Sequence, residues 1–185
     1  MYFSRLYGRR RLGIVDPMDG VQLIDSRLLD RLVTEAADRP RRRINHNFHA
    51  SLSENPNRML NAMLRDTYVR PHRHLDPPKC ESFVVLRGRL AILVFSDDGR
   101  IDGCHVLGTG PGELYGIDLA PGIFHSIVVL SGAAVIFEVK PGPYEAATDK
   151  DFAEWAPSEG SPDALSYVEW MRAAVARTPG GHWQE

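Results

Sequence analysis

The chain has 185 residues, of which 43% are hydrophobic and 25% charged, and its formal net charge is −2 at pH 7. These values suit one globular domain with a substantial core, and they give no sign of a nucleic-acid partner. No apolar run approaches the roughly 20 residues of a membrane helix. Cys80 and Cys104 show no disulfide framework, and the N-terminus lacks the features of a secretory signal. We therefore expect a cytoplasmic protein without a membrane partner.

The N-terminal part of the chain divides into an extension and a helix. Residues 1–20 carry arginines, glycines and a proline without clear periodicity, and we expect them to form a loosely ordered extension. Residues 21–40 contain the first predicted helix, because apolar residues recur at helical spacing from Leu28 onward. Asp25 or Ser26 is suited to cap this helix, and a proline ends it.

Residues 41–145 carry the pattern of a β-domain. At its start apolar and polar residues alternate, so Ile44, His46 and Phe48 share one face of a strand. Several short apolar runs follow, separated by turn signals such as Asp97-Asp-Gly-Arg. The even spacing of many short strands predicts a single-domain, all-β double-sheet jelly roll.

Residues 146–185 are expected to form a connection and a second helix beside the β-domain. A serine-proline pair at 161–162 is typical of a helix start, because proline is favoured at the first helical position. Residues 163–176 then place Leu165, Val168 and further apolar residues at helical spacing. The predicted fold is therefore all-β with flanking helices.

Four residues of the β-domain have side chains suited to bind one metal ion. His72 and His74 are two residues apart, so in a strand their imidazoles project from the same face. Glu81 opens the next apolar strand, and His125 follows a Pro-Gly turn at the start of a later one. Three imidazoles and a carboxylate are common ligands of Fe, Mn, Ni and Zn. The alternative for Glu81 is a surface hairpin residue, which leaves three histidines and water.

The spacing of these residues resembles the motifs of the cupin superfamily. His72-Arg-His, followed by Glu81 and Gly88, is similar to the first cupin motif, and Gly122-Ile-Phe-His is similar to the second. The loop between the second histidine and the glutamate is longer here, at six residues. Longer blocks resemble the WbuC family of cupin-fold metalloproteins, namely Arg41-Arg-Arg-Ile-Asn-His-Asn-Phe-His49, Tyr68-Val-Arg-Pro-His-Arg-His-Leu-Asp-Pro-Pro-Lys79 and Phe137-Glu-Val-Lys-Pro-Gly-Pro-Tyr144.

The resemblance implies a cupin β-barrel over residues 41–145 that binds a divalent metal ion, Fe, Mn, Ni or Zn, and that pairs as a homodimer. The WbuC family takes its name from polysaccharide gene clusters. The leading hypothesis is therefore an enzyme of the isomerase or epimerase type that acts on a sugar-like small molecule in O-antigen or lipopolysaccharide metabolism. The alternatives are a non-haem iron dioxygenase and a non-catalytic, metal-dependent binding protein. The sequence assigns no catalytic residue.

Three further residues are candidates for binding the substrate. If Thr67–His74 forms one strand, Tyr68 and Arg70 point to the same side as the two histidines. Arg70 is suited to clamp a carboxylate or phosphate, and an outward, ion-paired arginine is an equal alternative. His46 is either a pocket residue or a satisfied core histidine.

Overall fold

The computed structural model of the protein describes residues 20–178. The predicted extension over residues 1–20 lies, apart from Gly20, outside the described residues, and so does the C-terminal stretch 179–185. Within the described part, the chain forms two five-stranded sheets and two helices, which confirms the predicted all-β fold with flanking helices. No helix between residues 20 and 178 is long and apolar enough to cross a membrane.

Ten strands of the described chain form two antiparallel sheets that pack face to face. The first sheet has the strand order β1-β2-β9-β4-β7 and the second the order β10-β3-β8-β5-β6, with the bounds β1 Arg43–Asn47, β2 Asn57–Leu64, β3 His72–Arg73, β4 Glu81–Arg87, β5 Arg89–Phe95, β6 Ile101–Gly108, β7 Gly116–Leu119, β8 Phe124–Val129, β9 Ala133–Lys140 and β10 Asp151–Phe152. Successive strands mostly alternate between the two sheets. This is a double-sheet jelly roll.

Two strand boundaries differ from the prediction. The expected strand Thr67–His74 is paired only at His72–Arg73, because Pro71 has no N–H to donate to a neighbouring strand. Strand β10 lies beyond the predicted end of the barrel at residue 145 and pairs with β3, where Phe152 stands opposite His72. The chain that follows β9 therefore returns to lie beside His72.

One helix covers the outer face of each sheet. Helix α1 spans Ser26–Ala37 and helix α2 spans Ala164–Arg177, so both predicted helices are confirmed. Asp25 caps α1 by accepting a hydrogen bond from a backbone N–H of the first turn at 2.8 Å. Helix α1 buries its leucines against β1, β2 and β9. Helix α2 buries Val168 and Met171 against the second sheet.

The space between the sheets is apolar at one end and polar at the other. Buried apolar side chains from both sheets fill the apolar end, among them Leu90, Ile92, Val129 and Ile136. Burial of each side chain of this kind stabilises the fold by about 1.5–3 kcal/mol. Because this end is densely packed, the strands are held firmly where they carry polar inner side chains, which gather around one cavity.

Candidate metal centre

The four predicted ligands lie together at the base of the cavity between the sheets. His72 on β3 pairs directly with His125 on β8, His74 follows β3, and Glu81 opens β4. One ligand atom from each of the four lies within 4.8 Å of the other three. None of these residues is more than 3% exposed. The fold therefore brings three separate chain regions to one buried point.

Each imidazole is oriented by a hydrogen bond from its Nδ1 atom to a main-chain carbonyl. His72 Nδ1 lies 2.9 Å from the carbonyl oxygen of Arg70, and His125 Nδ1 lies 3.0 Å from that of Ile123. His74 Nδ1 bonds to a third carbonyl, that of Asp149. Because a carbonyl only accepts, each Nδ1 carries the proton. The Nε2 lone pairs are then free to bind a metal ion.

Two of the three Nε2 atoms at the centre have no hydrogen-bond partner in the described chain. Those of His72 and His74 are buried and have no hydrogen-bond partner among residues 20–178. His125 Nε2 lies 2.9 Å from Glu81 Oε2, and His74 Nε2 lies 3.4 Å from the same oxygen without hydrogen-bond geometry. A buried acceptor without a partner costs about 1–3 kcal/mol. A divalent metal ion would satisfy all of them, and this donor set fits Fe, Mn, Ni or Zn.

The protonation states also suit a metal ion. Burial lowers the pKa of His72 well below its ordinary value, so this imidazole is neutral near pH 7. Burial opposes ionisation of Glu81, but the adjacent His125 and His74 and the nearby positive charge of Lys140 outweigh that effect and hold its pKa well below the ordinary value. A neutral imidazole and a charged carboxylate are the forms that bind metal ions.

A buried network of lysines and one aspartate supports the ligands. Asp149 Oδ1 lies 3.0 Å from Lys79 Nζ, and Asp149 Oδ2 lies 2.9 Å from Lys140 Nζ. Burial raises the pKa of Asp149, but the two lysines lower it more, so its net pKa shift is downward. The main-chain carbonyl of the same aspartate receives the His74 hydrogen bond. Charge pairing of Asp149 therefore positions His74, one of the four candidate metal ligands.

The cavity above the ligands has a volume of about 390 Å³, which is within the range of small-molecule sites. Its polar wall is the inner face of the first sheet, where Asn45 and Asn47 on β1 lie beside Asn61 on β2 and Glu138 on β9. Phe83 contributes an apolar surface beside Glu81. The cavity thus joins a buried ligand cluster to a wall rich in amides.

Asn61 and Glu138 form the most buried part of that wall. Asn61 Nδ2 donates a hydrogen bond of 2.6 Å to Glu138 Oε2. Burial, together with the nearby carboxylate of Glu81, raises the pKa of Glu138 to about 7. Asn61 Oδ1 is buried and has no hydrogen-bond partner within residues 20–178. The wall therefore presents one acceptor without a partner and one carboxylate that can exchange a proton near neutral pH.

The structure places Tyr68, Arg70 and His46, the predicted substrate-binding residues, outside the cavity. The Tyr68 hydroxyl donates a hydrogen bond to the carbonyl of Pro157 at 2.8 Å. Its ring packs in the apolar cluster that contains Val168 and Met171 of α2. Arg70 donates to the carbonyl of Ala153 at 2.6 Å. Both expectations assumed a regular strand before His72, and Pro71 prevents one.

His46 lies on the opposite face of β1 from the cavity. Its ring meets that of Phe48 edge-on, with centroids 5.1 Å apart, and Phe48 packs in the cluster beneath α1. The alternation predicted for β1 holds, but the face that lines the cavity is that of Asn45 and Asn47. His46 is half-buried and is not among the residues that line the cavity, so the expectation that it binds substrate stays a prediction without support from this geometry.

Sequence reasoning missed Lys79, Asp149 and Lys150 at the site. The sequence offers one signal for the two lysines. The chain contains only three lysines, and all three lie around this centre. Glu138 and Lys140 also alternate with apolar residues along β9, which marks them as polar side chains on an inner face. The long-range pairing of Asp149 depends on the fold and leaves no local pattern.

Comparison with protein families gives one partial match. A family model described as a domain of unknown function (DUF6016) matches residues 24–107, which is less than half of the chain. The matched region includes His72, His74 and Glu81, whereas His125 lies beyond it. A search of curated proteins finds no match.

Several solved structures have a similar fold. Protein TT1209 from Thermus thermophilus is 16% identical over 65% of this chain and 97% of its own, with a TM-score of 0.48. Capsular polysaccharide assembling protein CapF from Staphylococcus aureus is 17% identical over 60% of this chain and 34% of its own, with a TM-score of 0.47. A cupin-2 domain containing protein from Shewanella frigidimarina is 17% identical over 54% of this chain and 80% of its own, with a TM-score of 0.41. Such identities and scores carry no information on activity.

Proposed function

We propose that this protein is a metal-dependent enzyme of the isomerase or epimerase type that acts on a sugar-like small molecule. The observation that carries the proposal is the convergence of three imidazole Nε2 atoms and the Glu81 carboxylate at the base of the cavity. A buried donor set of this kind supports a bound divalent metal ion. The amides along the wall support a ligand with many hydroxyl groups.

The proposed chemistry divides between the ion and the protein. A bound divalent metal supplies Lewis acidity toward a carbonyl or hydroxyl oxygen of the substrate. Isomerisation beside a carbonyl also needs a group that accepts a proton from carbon and returns it. Glu138 is suited to this role, because Asn61 holds its carboxylate on the cavity wall and its pKa is raised to about 7. Lys140 Nζ lies 3.7 Å from the carboxylates of Glu138 and Glu81 and balances their charge.

The link to surface-polysaccharide metabolism rests on the resemblance to the WbuC family. The blocks that carry it are Arg41–His49, Tyr68–Lys79 and Phe137–Tyr144. Each block contributes side chains to the cavity. The resemblance is therefore concentrated around the cavity, which supports a shared ligand class.

Elemental analysis of purified protein tests the metal site. We expect about one divalent transition metal ion per chain in the wild type. His125→Ala should lower this content sharply, since it removes one ligand from a rigid set. The matched control is His46→Ala, which makes the same change outside the cavity and should leave the metal content unchanged. Wild-type protein that stays metal-free after incubation with Fe, Mn, Ni and Zn salts would refute the proposal.

Deuterium incorporation tests the reaction. Metal-loaded protein is incubated in D₂O with a panel of aldoses and ketoses, and exchange at carbon is followed by NMR. A positioned general base contributes about 10²–10⁴ to such rates, so Glu138→Gln should lose most of the exchange while retaining metal. If wild type and Glu138→Gln exchange deuterium equally fast, Glu138 is not the general base.

A second candidate function is a non-haem iron dioxygenase. Histidine and carboxylate ligands that border an open cavity are also suited to ferrous iron with a free coordination position. Oxygen consumption by the ferrous form in the presence of a small-molecule ligand would favour this candidate. Ligand binding without exchange or oxygen uptake would instead indicate a metal-dependent binding protein.

A further inference from the structure

The three lysines of the chain have unequal surroundings. Lys79 and Lys140 are each 4% exposed and share the carboxylate of Asp149. Lys150 lines the cavity, and within residues 20–178 no ion pair or hydrogen bond holds its ammonium group. A buried or half-buried charge without a partner is costly, so a cation left open toward a cavity suggests an anion from outside the protein.

The other cations on the cavity wall are already paired. Arg43 lies 2.5 Å from a Glu159 carboxylate oxygen and also donates to the carbonyl of Tyr68. Arg41 lies 2.7 Å from the second oxygen of the same carboxylate. Lys150 is thus the cation on the cavity wall that no ion pair or hydrogen bond occupies within the described residues.

The position of Lys150 brings it close to the metal centre. It directly precedes β10, which pairs with β3 so that Phe152 stands opposite His72. Lys150 lines the same cavity as His72 and Glu81. A ligand on Lys150 would therefore extend directly over the metal centre.

The opposite wall of the cavity offers hydrogen-bond acceptors. Asn61 Oδ1 is buried without a partner in the described chain, and its amide nitrogen is committed to Glu138. A buried acceptor of this kind is satisfied by a hydroxyl donor from a ligand. Because Asn61 belongs to the first sheet and Lys150 adjoins the second, the cavity has acceptors on one side and a cation on the other.

We propose that the cavity binds a hydroxylated organic anion the size of a monosaccharide, with its carboxylate or phosphate on Lys150 and hydroxyl groups on Asn61 and Glu138. The cavity volume of about 390 Å³ suits a ligand of this size. The inference that the ligand is sugar-like rests on the proposed function. The inference that the ligand carries a carboxylate or phosphate is new.

Amine labelling tests the anion site directly. Reductive methylation of metal-loaded protein, read by peptide mass spectrometry, should modify Lys150 before Lys79 or Lys140, because those two are buried and ion-paired. The added probes are glucuronate, glucose 6-phosphate, glucose and inorganic phosphate. We expect glucuronate or glucose 6-phosphate to protect Lys150 at concentrations where glucose does not. The two anionic arms distinguish a carboxylate from a phosphate.

Binding measurements on a variant complete the test. Lys150→Met should weaken calorimetric binding of the protective anion by about tenfold or more, since charged hydrogen bonds are the stronger ones. Its metal content should match the wild type. The control Arg27→Met removes an exposed positive charge from α1, on the outer side of the first sheet, and should change neither value.

The outcomes separate this inference from the proposed function. Equal binding of glucose and the anionic sugars, or full affinity in Lys150→Met, would overturn the anion site while the sugar-binding proposal stands. Protection of Lys150 by inorganic phosphate with no binding of any sugar would support the anion site and count against the proposed function. Absence of protection by every anion would overturn the inference.

Discussion

At the scale of single residues, the site depends on how each side chain is held. The imidazoles of His72, His74 and His125 are ordered through Nδ1 by main-chain carbonyls, which leaves Nε2 to face the centre. The spacing of the histidines and Glu81 was enough to predict that they meet. The carbonyl partners could not be predicted, because an Asp149 carbonyl reaches His74 only in the folded chain.

Glu159 gives a residue-scale prediction about pH. Burial opposes ionisation of Glu159, but Arg43 and Arg41 outweigh it, so the folded-state pKa lies below its ordinary value. The ionised pair therefore adds stability above the unfolded-state pKa, and this contribution is lost as pH falls through the folded-state pKa. Glu159→Gln should lose about 1 kcal/mol of unfolding free energy at pH 7, and the loss should shrink towards about pH 3.

Urea unfolding at several pH values measures this difference. The control is Glu154→Gln, an exposed glutamate of the same connection, which should match the wild type throughout. A deficit in Glu159→Gln that is equally large at pH 3 and pH 7 would mean that shape, and not charge, accounts for it.

At the scale of secondary-structure elements, apolar periodicity predicted both helices and the alternation of β1. The strand expected over Thr67–His74 did not form as one piece, because Pro71 interrupts the hydrogen-bond ladder. The consequence is that Tyr68 and Arg70 turn toward α2 and its connection instead of the cavity. The proline was visible in the sequence and outweighs periodicity there.

The segment between β9 and β10 gives the second prediction. It carries Asp149, whose carboxylate pairs with Lys79 and Lys140 and whose carbonyl orients His74. Loss of an outer partner of a metal ligand typically weakens metal binding by about 10–100-fold, so we expect this range for Asp149→Asn. Competition with a chelator of known affinity measures it. Glu145→Gln, an exposed change in the same segment, is the control and should bind metal normally.

Asp149→Asn also leaves two buried lysines short of a negative partner and is expected to lower stability by about 3 kcal/mol. Lys79→Met is therefore a useful second variant, since Lys140 keeps its partner when Lys79 is removed. If both variants fold and bind metal as tightly as the wild type, the network has no positioning role.

At the scale of the whole molecule, the apolar core and the candidate metal site occupy different parts of the fold. The apolar clusters lie between the sheets at one end and beneath the two helices, while the ligands and the cavity occupy the polar end. The strand count and turn signals made the jelly roll predictable from local patterns. The shape of the cavity and the lysine network depend on contacts such as Lys79 with Asp149, 70 residues apart, and required the folded structure.

Exposed apolar side chains bear on the expected homodimer. Leu165 and Trp170 are 60% and 41% exposed on α2, and Val84 is 45% exposed on the first sheet. Exposed apolar side chains of this size are candidates for a contact between subunits. We expect a dimer in sedimentation velocity at micromolar concentration. Leu165→Glu and Val84→Glu tell which face is used, and a wild-type monomer would contradict the expectation.

Metal removal gives the last prediction. Because the apolar clusters do not include the ligands, the chain should stay folded without the ion, with an unchanged far-ultraviolet circular dichroism spectrum. An ion that binds only the folded state adds about 2.7 kcal/mol when its free concentration is 100 times Kd, so a chelator should lower Tm by several degrees. His125→Ala should show no such shift, since it has lost the site. Unfolding on chelation would mean that the β-fold depends on the ion, and an unchanged wild-type Tm would mean that these four residues hold none.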